Sequence, residues 1–354
     1  MERINKPNRI SKRNMGQVAV DLTLLLCFLY FAYTFLPDFS APSPLSPLIP
    51  PRQVGSGTLP LKEIWRIQVG ALRYPGHNNV YPWQSTKQGV VISTNRGLGT
   101  EQLTLVDSQN GQIRWQVTTE AGSNSSLVVD AARIYLVNNW RINAYDLNTG
   151  HLLWQTNKQL GHRGYDLYLR DGVLVEYEVG HDLIYKFDRL TGTKVETETL
   201  PAETPMVIAS LAEIDLGRDR YWLSAIDRKS QSVLWRVPRG VPPNNLDGLP
   251  VEVAGLLIMT DNSTLYISKL DTGEIIWQQP DIVSNPIVLD NLIYVIAADA
   301  NIRAYDLHSG QVMGSLHLQP PVIIDQGYAL TANSTEQTIY AYYGDGQEVI
   351  AFGR

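Results

Sequence analysis

The stretch AYDLNTGHLLWQT at residues 144–156 has close counterparts elsewhere in the chain. TLVDSQNGQIRWQV precedes it at residues 104–117, and RAYDLHSGQVMGSL follows at residues 303–316. Each copy has an aspartate, a turn that ends in glycine four residues later, and a run containing apolar residues after the glycine. A recurring phrase of this kind indicates a repeat architecture, which has to be recognised before any single motif is interpreted.

The last residue of each turn marks the repeat, and consecutive markers are 36 to 42 residues apart. The seven markers are Gly111, Gly150, Gly192, Gln231, Gly273, Gly310 and Gly346. Short alternating or β-branched runs fill each interval, and no helical period appears between residues 61 and 354. About four strands for every forty residues is typical of one blade of a β-propeller. The sequence therefore predicts an all-β fold with seven blades, or eight if closure of the ring recruits an extra sheet.

Two positions in each repeat are predicted to be structural. An aspartate stands four residues before the marker, where its carboxylate can accept hydrogen bonds from the turn amides, and Gly150 supplies the positive φ of the turn. A tryptophan stands four residues after the marker and is predicted to wedge between neighbouring blades. The residues in these positions are Asp107, Asp146, Asp188, Asp227 and Asp306, followed by Trp115, Trp154, Trp235 and Trp277.

This pattern resembles the pyrroloquinoline-quinone-type (PQQ-like) β-propeller repeat over residues 61–354. The departures are Glu196, Gly314 and Ile350 in the tryptophan position, Lys269 in the aspartate position and Gln231 in the glycine position. Residues 63–69, EIWRIQV, are expected to add an outer strand that pairs with the last blade, although EVIAFGR at residues 348–354 already provides that blade with an outer strand.

The N-terminal region differs in composition from the repeats. Residues 1–17 carry a net charge of +4, and residues 18–36, VAVDLTLLLCFLYFAYTFL, are long enough to span a bilayer as a helix. The positive flank predicts a cytoplasmic N-terminus, a single-pass anchor in the cell membrane and an extracytoplasmic propeller. A cleaved signal peptide and a lipid-modified Cys27 are the alternatives. Residues 37–60 are rich in proline and are interpreted as a spacer.

The charge and the cysteine content of the chain argue against some classes of function. The whole chain has a net charge of −6, so the part beyond residue 17 holds −10, which argues against nucleic acid as a partner. The resemblance implies quinone-dependent dehydrogenases among the relatives, with bound calcium and often adjacent cysteines. The sequence offers no cysteine beyond Cys27 and no acidic loop with calcium-site spacing, so no cofactor and no metal are predicted. It therefore favours the non-enzymatic branch of the family.

The predicted function is a scaffold that binds other proteins or envelope components, with a degenerate quinoprotein-like enzyme or a ligand-sensing propeller as the alternative. Loops on rigid sheets are where binding residues concentrate. The turns between second and third strands vary from blade to blade, unlike the turns at the markers. The candidate partner-binding residues lie in these turns and in an aromatic-rich loop at residues 74–84 that we expect to cover the funnel: Trp140, Arg141, Trp83, His181 and Arg220.

Overall fold

A computed structural model describes sixteen stretches of the chain: residues 59, 61–70, 83–97, 100–120, 127–138, 141–156, 165–170, 172–178, 183–199, 206–218, 222–238, 242–243, 250–318, 328–333, 335–343 and 348–353. The predicted cytoplasmic tail, membrane helix and most of the proline-rich spacer lie outside these stretches. Among the described residues, no helix has the length and hydropathy needed to cross a bilayer.

The described residues contain twenty-eight strands, which form seven four-stranded antiparallel sheets, and each sheet is one blade of a propeller.

The strands of blades 1 to 3, from the innermost strand outward, are β2 (Trp83–Thr86), β3 (Gly89–Gly97), β4 (Thr100–Asp107) and β5 (Ile113–Glu120); β6 (Leu127–Val129), β7 (Arg133–Asn138), β8 (Arg141–Asp146) and β9 (Leu152–Gln155); and β10 (Tyr165–Arg170), β11 (Val173–Glu178), β12 (Leu183–Asp188) and β13 (Lys194–Thr199).

The strands of blades 4 to 6, in the same order, are β14 (Met206–Ser210), β15 (Ile214–Arg218), β16 (Trp222–Asp227) and β17 (Val233–Pro238); β18 (Val251–Val253), β19 (Leu256–Asp261), β20 (Thr264–Lys269) and β21 (Ile275–Gln279); and β22 (Ile287–Leu289), β23 (Leu292–Ile296), β24 (Asn301–Asp306) and β25 (Val312–His317). The count of seven blades is confirmed.

Blade 7 closes the ring with both ends of the chain. Its three inner strands are β26 (Tyr328–Asn333), β27 (Thr338–Tyr343) and β28 (Glu348–Gly353), and its outer strand is β1 (Lys62–Gln68), which pairs antiparallel with β28. The predicted pairing of the first strand with the last blade is therefore confirmed. The expectation that residues 348–354 form an outer strand is wrong, because β28 is the third strand of its sheet.

The pairing of β1 with β28 also shows that Gly346 is not a marker of the repeat. Gly346 lies between β27 and β28, so it is not in the turn position of the other markers. Trp65 of β1 stands opposite Ala351, as Trp154 stands opposite Ala144 in blade 2. Trp65, and not Ile350, is therefore in the tryptophan position of blade 7.

Three buried charged side chains form ion pairs that hold β1 against β28. The Arg66 guanidinium donates to Glu63 at 2.8 Å and to Glu348 at 2.7 Å, and the three side chains are almost fully buried. Removing one partner of such a group would leave an uncompensated buried charge, so the triad ties the register of β1 to that of β28.

The apolar core lies between the blades. Six clusters of buried apolar residues each join two neighbouring blades, at every junction except the one between blades 3 and 4 as far as the described residues go. For example, Val91 and Leu105 of blade 1 pack with Ile134 and Leu136 of blade 2. Side chains alternate along a strand, so each sheet contributes one face to the preceding junction and the other to the following one.

Candidate functional site

The strand order gives the ring two different faces. In every blade the turns between the first and second strands and between the third and fourth strands lie at one end, which we call the repeat face. The turns between the second and third strands lie at the opposite end, which we call the variable face.

The repeat face is built from nearly identical turns. In blade 2 the carboxylate of Asp146 accepts hydrogen bonds from the amides of Asn148 at 3.0 Å and Thr149 at 2.9 Å, and Gly150 has a φ of 70°. The equivalent aspartates are Asp107, Asp188, Asp227 and Asp306, which make bonds of the same kind. The amide and hydroxyl of Thr191 lower the pKa of Asp188, because they stabilise its charged form. The predicted role of these aspartates as turn formers agrees with this geometry.

Each tryptophan of the repeat reaches the turn of the following blade. The indole N–H of Trp154 donates to the carbonyl of Arg189 at 3.3 Å, and its ring lies over Gly192 of the same turn. The same pair of contacts recurs for Trp65 with Ser108 and Gly111, Trp115 with Leu147 and Gly150, Trp235 with Leu270 and Gly273, and Trp277 with Leu307 and Gly310. These residues are structural links between blades.

The candidate Arg141 lies on the variable face. It is the first residue of β8, it is half-buried, and its guanidinium donates to the side-chain oxygen of Gln155 at 3.1 Å. Trp140, beside it, falls outside the described residues, as do His181 and Arg220. These three stay predictions.

The candidate Trp83 is placed differently from expectation. It is the first residue of β2, only 4% of its surface is exposed, and its ring meets that of Tyr342 edge-on at 6.3 Å. Val90 and Ala329 belong to the same apolar cluster. The indole is part of the core between blades 7 and 1, so it is not available to a partner at the surface.

Trp222 is an exposed aromatic residue that the sequence analysis missed. It begins β16 on the variable face, and 36% of its surface is exposed. It occupies the same position in blade 4 as Arg141 does in blade 2, five residues before the turn aspartate of its blade. A tryptophan at this position of the repeat, directly after an arginine-containing turn, is the feature of the sequence that could have indicated Trp222 as a surface residue.

Described parts of the variable face in blades 5 and 6 are polar and tightly turned. Asn262 and Ser263 have φ values of 47° and 60°, a left-handed pair that suits a two-residue hairpin turn. In blade 6, Arg303 pairs with Asp299, and the His317 ring lies 3.2 Å from the side-chain oxygen of Asn301. Trp222 therefore stands out as a large apolar group on a polar surface.

Blade 3 meets blade 2 through a partly buried polar group as well as apolar contacts. The Asp130 carboxylate accepts hydrogen bonds from the Tyr135 hydroxyl at 2.9 Å and from Arg189 at 2.8 Å. Burial opposes ionisation of Asp130, but the amide of Ala132 and these other donors outweigh it and lower its pKa. Burial and the neighbouring carboxylate raise the pKa of Tyr135 to about 12.

Blade 3 meets blade 4 through charged groups. Within blade 3, Lys186 of β12 contacts Glu196 at 2.7 Å and Glu198 at 3.2 Å, both on the outer strand β13. Lys186 and Glu196 stand opposite each other as Ala144 and Trp154 do in blade 2. Closer to the centre, the buried carboxylate of Asp215 lies 3.1 Å from Arg170 and 3.7 Å from Arg228. We call this junction, defined by these two ion-pair groups, the charged seam.

The described residues contain no group of three or more His, Cys, Asp or Glu side chains arranged to hold a metal ion.

Known proteins resemble the chain at the level of family and fold. A family model described as "Outer membrane protein assembly factor BamB" matches residues 62–207 and 219–352. Proteins of that name from Yersinia pestis and Moranella endobia (strain PCIT) are 24% identical over 238 and 222 residues, which is 58% and 54% of this chain. The matches cover 59% and 57% of those proteins, so the chain spans less than two thirds of their length.

Solved structures share the fold at low sequence identity. The crystal structure of BamB from Moraxella catarrhalis is 14% identical, with a TM-score of 0.52 over 83% of this chain and 100% of that one. A chain of the mitotic checkpoint complex is 12% identical, with a TM-score of 0.58 over 83% of this chain and 94% of that one. With the family model covering most of blades 1 to 7, the chain belongs to the PQQ-like propeller family described as outer membrane protein assembly factor BamB.

Proposed function

We propose that the protein is a membrane-tethered, extracytoplasmic propeller that binds other envelope proteins through its variable face and catalyses no reaction. The tether is the predicted helix at residues 18–36, followed by the proline-rich spacer. The family membership supports the scaffold role, because the relatives are named outer membrane protein assembly factors.

One observation carries the choice of face. Trp222 exposes a large aromatic surface at the edge of blade 4, and Arg141 occupies the equivalent position two blades away. Tryptophan and arginine are the residue types most often found among the few residues that dominate binding energy. The repeat face has turns that satisfy their own hydrogen bonds, so it offers fewer groups for recognition.

The test is capture of partners by the full-length protein from solubilised membranes. We expect the Trp222→Ala, Arg141→Ala double variant to lose about tenfold in captured envelope protein, because two interface anchors are removed. Leu190→Ala is the matched control, since Leu190 is an exposed apolar residue on the repeat face. Equal capture by the double variant and the wild type would contradict the assignment of the binding face.

The topology and the absence of catalysis need separate measurements. Protease added to intact spheroplasts is expected to digest the propeller, and a protected propeller would overturn the extracytoplasmic placement. Added pyrroloquinoline quinone with calcium is expected to leave the melting temperature unchanged. A ligand at a hundred times its dissociation constant would add about 2.7 kcal/mol, so a clear rise would favour an enzyme instead.

A further inference from the structure

The outer half of the charged seam is open to solvent. β13 is the outer strand of blade 3, and all six of its residues are exposed, which is true of no other outer strand in the described part of the ring. At five other junctions the repeat tryptophan of the outer strand lies between two blades. Glu196 stands in the tryptophan position of blade 3, so no indole fills the outer half of the seam.

The strand register shows which side chains of blade 4 point toward blade 3. Leu223 and Val237 stand opposite each other on β16 and β17 and pack with Leu257 of blade 5. Side chains alternate along a strand, so the neighbouring pairs on β16 and β17 point the other way, toward blade 3. These pairs are Trp222 with Pro238 and Ser224 with Arg236.

The same alternation identifies the side chains of blade 3 that point toward blade 4. Phe187 of β12 packs with Tyr135 of blade 2, so Lys186, the residue before it, points toward blade 4. Glu196 stands opposite Lys186, and Glu198 contacts the same ammonium group at 3.2 Å. Both carboxylates therefore lie on the side of blade 3 that faces blade 4.

We call the space between these two sets of side chains the seam slot. On the wall formed by blade 3, two carboxylates and one ammonium leave one net negative charge, and Glu196 and Glu198 are 55% and 47% exposed. On the wall formed by blade 4, Arg236 is exposed and forms no ion pair with a described residue. Opposite charges that face each other without pairing indicate that the walls stand apart, so the slot has room for another chain.

We propose that the seam slot binds an extended peptide segment of a partner protein, which presents an acidic side chain to Arg236 and a basic side chain to Glu196 and Glu198. This proposal rests on the proposed function and names the chemistry of the partner. An extended segment suits a slot between two sheets, because its side chains alternate between the two walls. Arginine holds a carboxylate through two parallel hydrogen bonds, so Arg236 sets the position of the segment. Trp222, at the variable-face end of the slot, adds an apolar contact.

Selection from a library of random peptides displayed on phage tests this charge pattern, with the full-length protein as the target. We expect the wild type to enrich peptides that carry both an acidic and a basic residue. Arg236→Glu should lower the enrichment of acidic residues about tenfold, because like charges facing each other across an interface are strongly unfavourable. Lys194→Glu is the matched control, since Lys194 is an exposed cation of β13 that lies over the Tyr185 ring, on the side toward blade 2. It should leave the selected peptides unchanged.

The opposite wall is tested by a second variant. Glu196→Gln with Glu198→Gln should lower the enrichment of basic residues and leave that of acidic residues unchanged, while melting curves show that each variant is folded. No enrichment by the wild type, or an enrichment that neither wall alters, would overturn the proposal. A dimer of the full-length protein that Arg236→Glu dissociates would also overturn it, because the slot would then hold a second copy of this chain. The library contains no envelope protein, so failure here and failure of the proposed function are distinguishable.

Discussion

Blade 3 meets its two neighbours in different ways. Toward blade 2 it offers the Gly192 turn, over which the Trp154 ring packs, and a cluster of buried apolar residues from both blades. Toward blade 4 it offers Lys186 and Glu196, paired with each other at the rim, and Arg170, which lies 3.1 Å from the buried Asp215 carboxylate of blade 4. Exposed ion pairs of this kind contribute about 0–1 kcal/mol, far less than a buried aromatic ring.

The difference shows that tryptophan and glycine act as a pair across the five junctions that have the link. At the five linked junctions, a Cβ on the turn glycine would lie 2.4 to 2.8 Å from a ring atom of the tryptophan. At the charged seam Glu196 stands in the tryptophan position, and Gln231 occupies the turn with a φ of 59°. A side chain is tolerated there because no indole lies above it.

Gln231 also replaces the hydrogen bond that the tryptophan would have made. Its side-chain amide donates to the carbonyl of Arg228 at 2.9 Å. Arg228 directly follows Asp227, as Arg189 follows Asp188, and the Arg189 carbonyl accepts the Trp154 indole. The seam thus satisfies the same acceptor without adding apolar contact between the blades.

The junction between blades 6 and 7 lacks the link without becoming polar. Gly314 stands in the tryptophan position, yet Leu59, Leu61 and Leu316 belong to an extensive apolar cluster between these blades. Loss of the tryptophan alone therefore does not weaken a junction. Among the described residues, only the charged seam has neither the indole link nor an apolar cluster.

The largest effect is expected from removing a link. Trp154→Ala should lower the free energy of unfolding by about 3 kcal/mol, because a large ring leaves the junction between blades 2 and 3. Denaturant unfolding of the full-length protein measures this. Trp222→Ala, which truncates an exposed tryptophan, is the control and should cost less than half as much. Equal losses would contradict the structural role given to the repeat tryptophans.

A smaller effect should come from the glycine side of the same link. Gly192 and Gly172 both belong to blade 3 and have φ values of 69° and 79°, so an alanine at either position pays about 1–2 kcal/mol for the left-handed backbone. A Cβ at position 192 would lie 2.4 Å from Trp154, whereas one at position 172 meets no heavy atom within 4 Å.

Gly192→Ala should therefore destabilise the protein by about 1–3 kcal/mol more than Gly172→Ala does, the usual cost of overpacking. The two variants are compared by the same unfolding measurement. Identical losses would mean that the backbone conformation, and not the ring, requires glycine in these turns.

The local parts of this architecture were predictable from sequence. The turn aspartates and the tryptophans after them recur at fixed offsets, and each offset reflects contacts within one turn or between successive blades. Such patterns predict the propeller fold, a ring of seven or eight blades, and structural roles for Asp146 and Trp154.

The non-local parts were not predictable in the same way. The pairing of residues 63–69 with the last blade was expected, but Trp65 lies before the first turn marker, so the repeat interval did not place it in the tryptophan position of blade 7. Gly346 matched the repeat interval although it lies in a different turn. Trp83 appeared to be in a loop, but Tyr342, far away in sequence, buries it. The exposure of Trp222 depends on which turns surround it, and the repeat pattern carries no information about that.

The smallest expected effect, and the sharpest test of the pairing, is to rebuild a tryptophan link at the charged seam. Lys186 stands opposite Glu196 where Ala144 stands opposite Trp154, so Lys186→Ala provides the background. In the Lys186→Ala background, Glu196→Trp alone should raise the free energy of unfolding little, since the Cβ of Gln231 occupies the place of the ring. Gln231→Gly alone should lose the bond to Arg228. Together they should stabilise the protein by about 1–2 kcal/mol more than the sum of the single changes, the coupling expected for residues in contact.

A double-mutant cycle from unfolding midpoints measures this coupling free energy. Additivity to within about 0.5 kcal/mol would show that the tryptophan and glycine positions are independent.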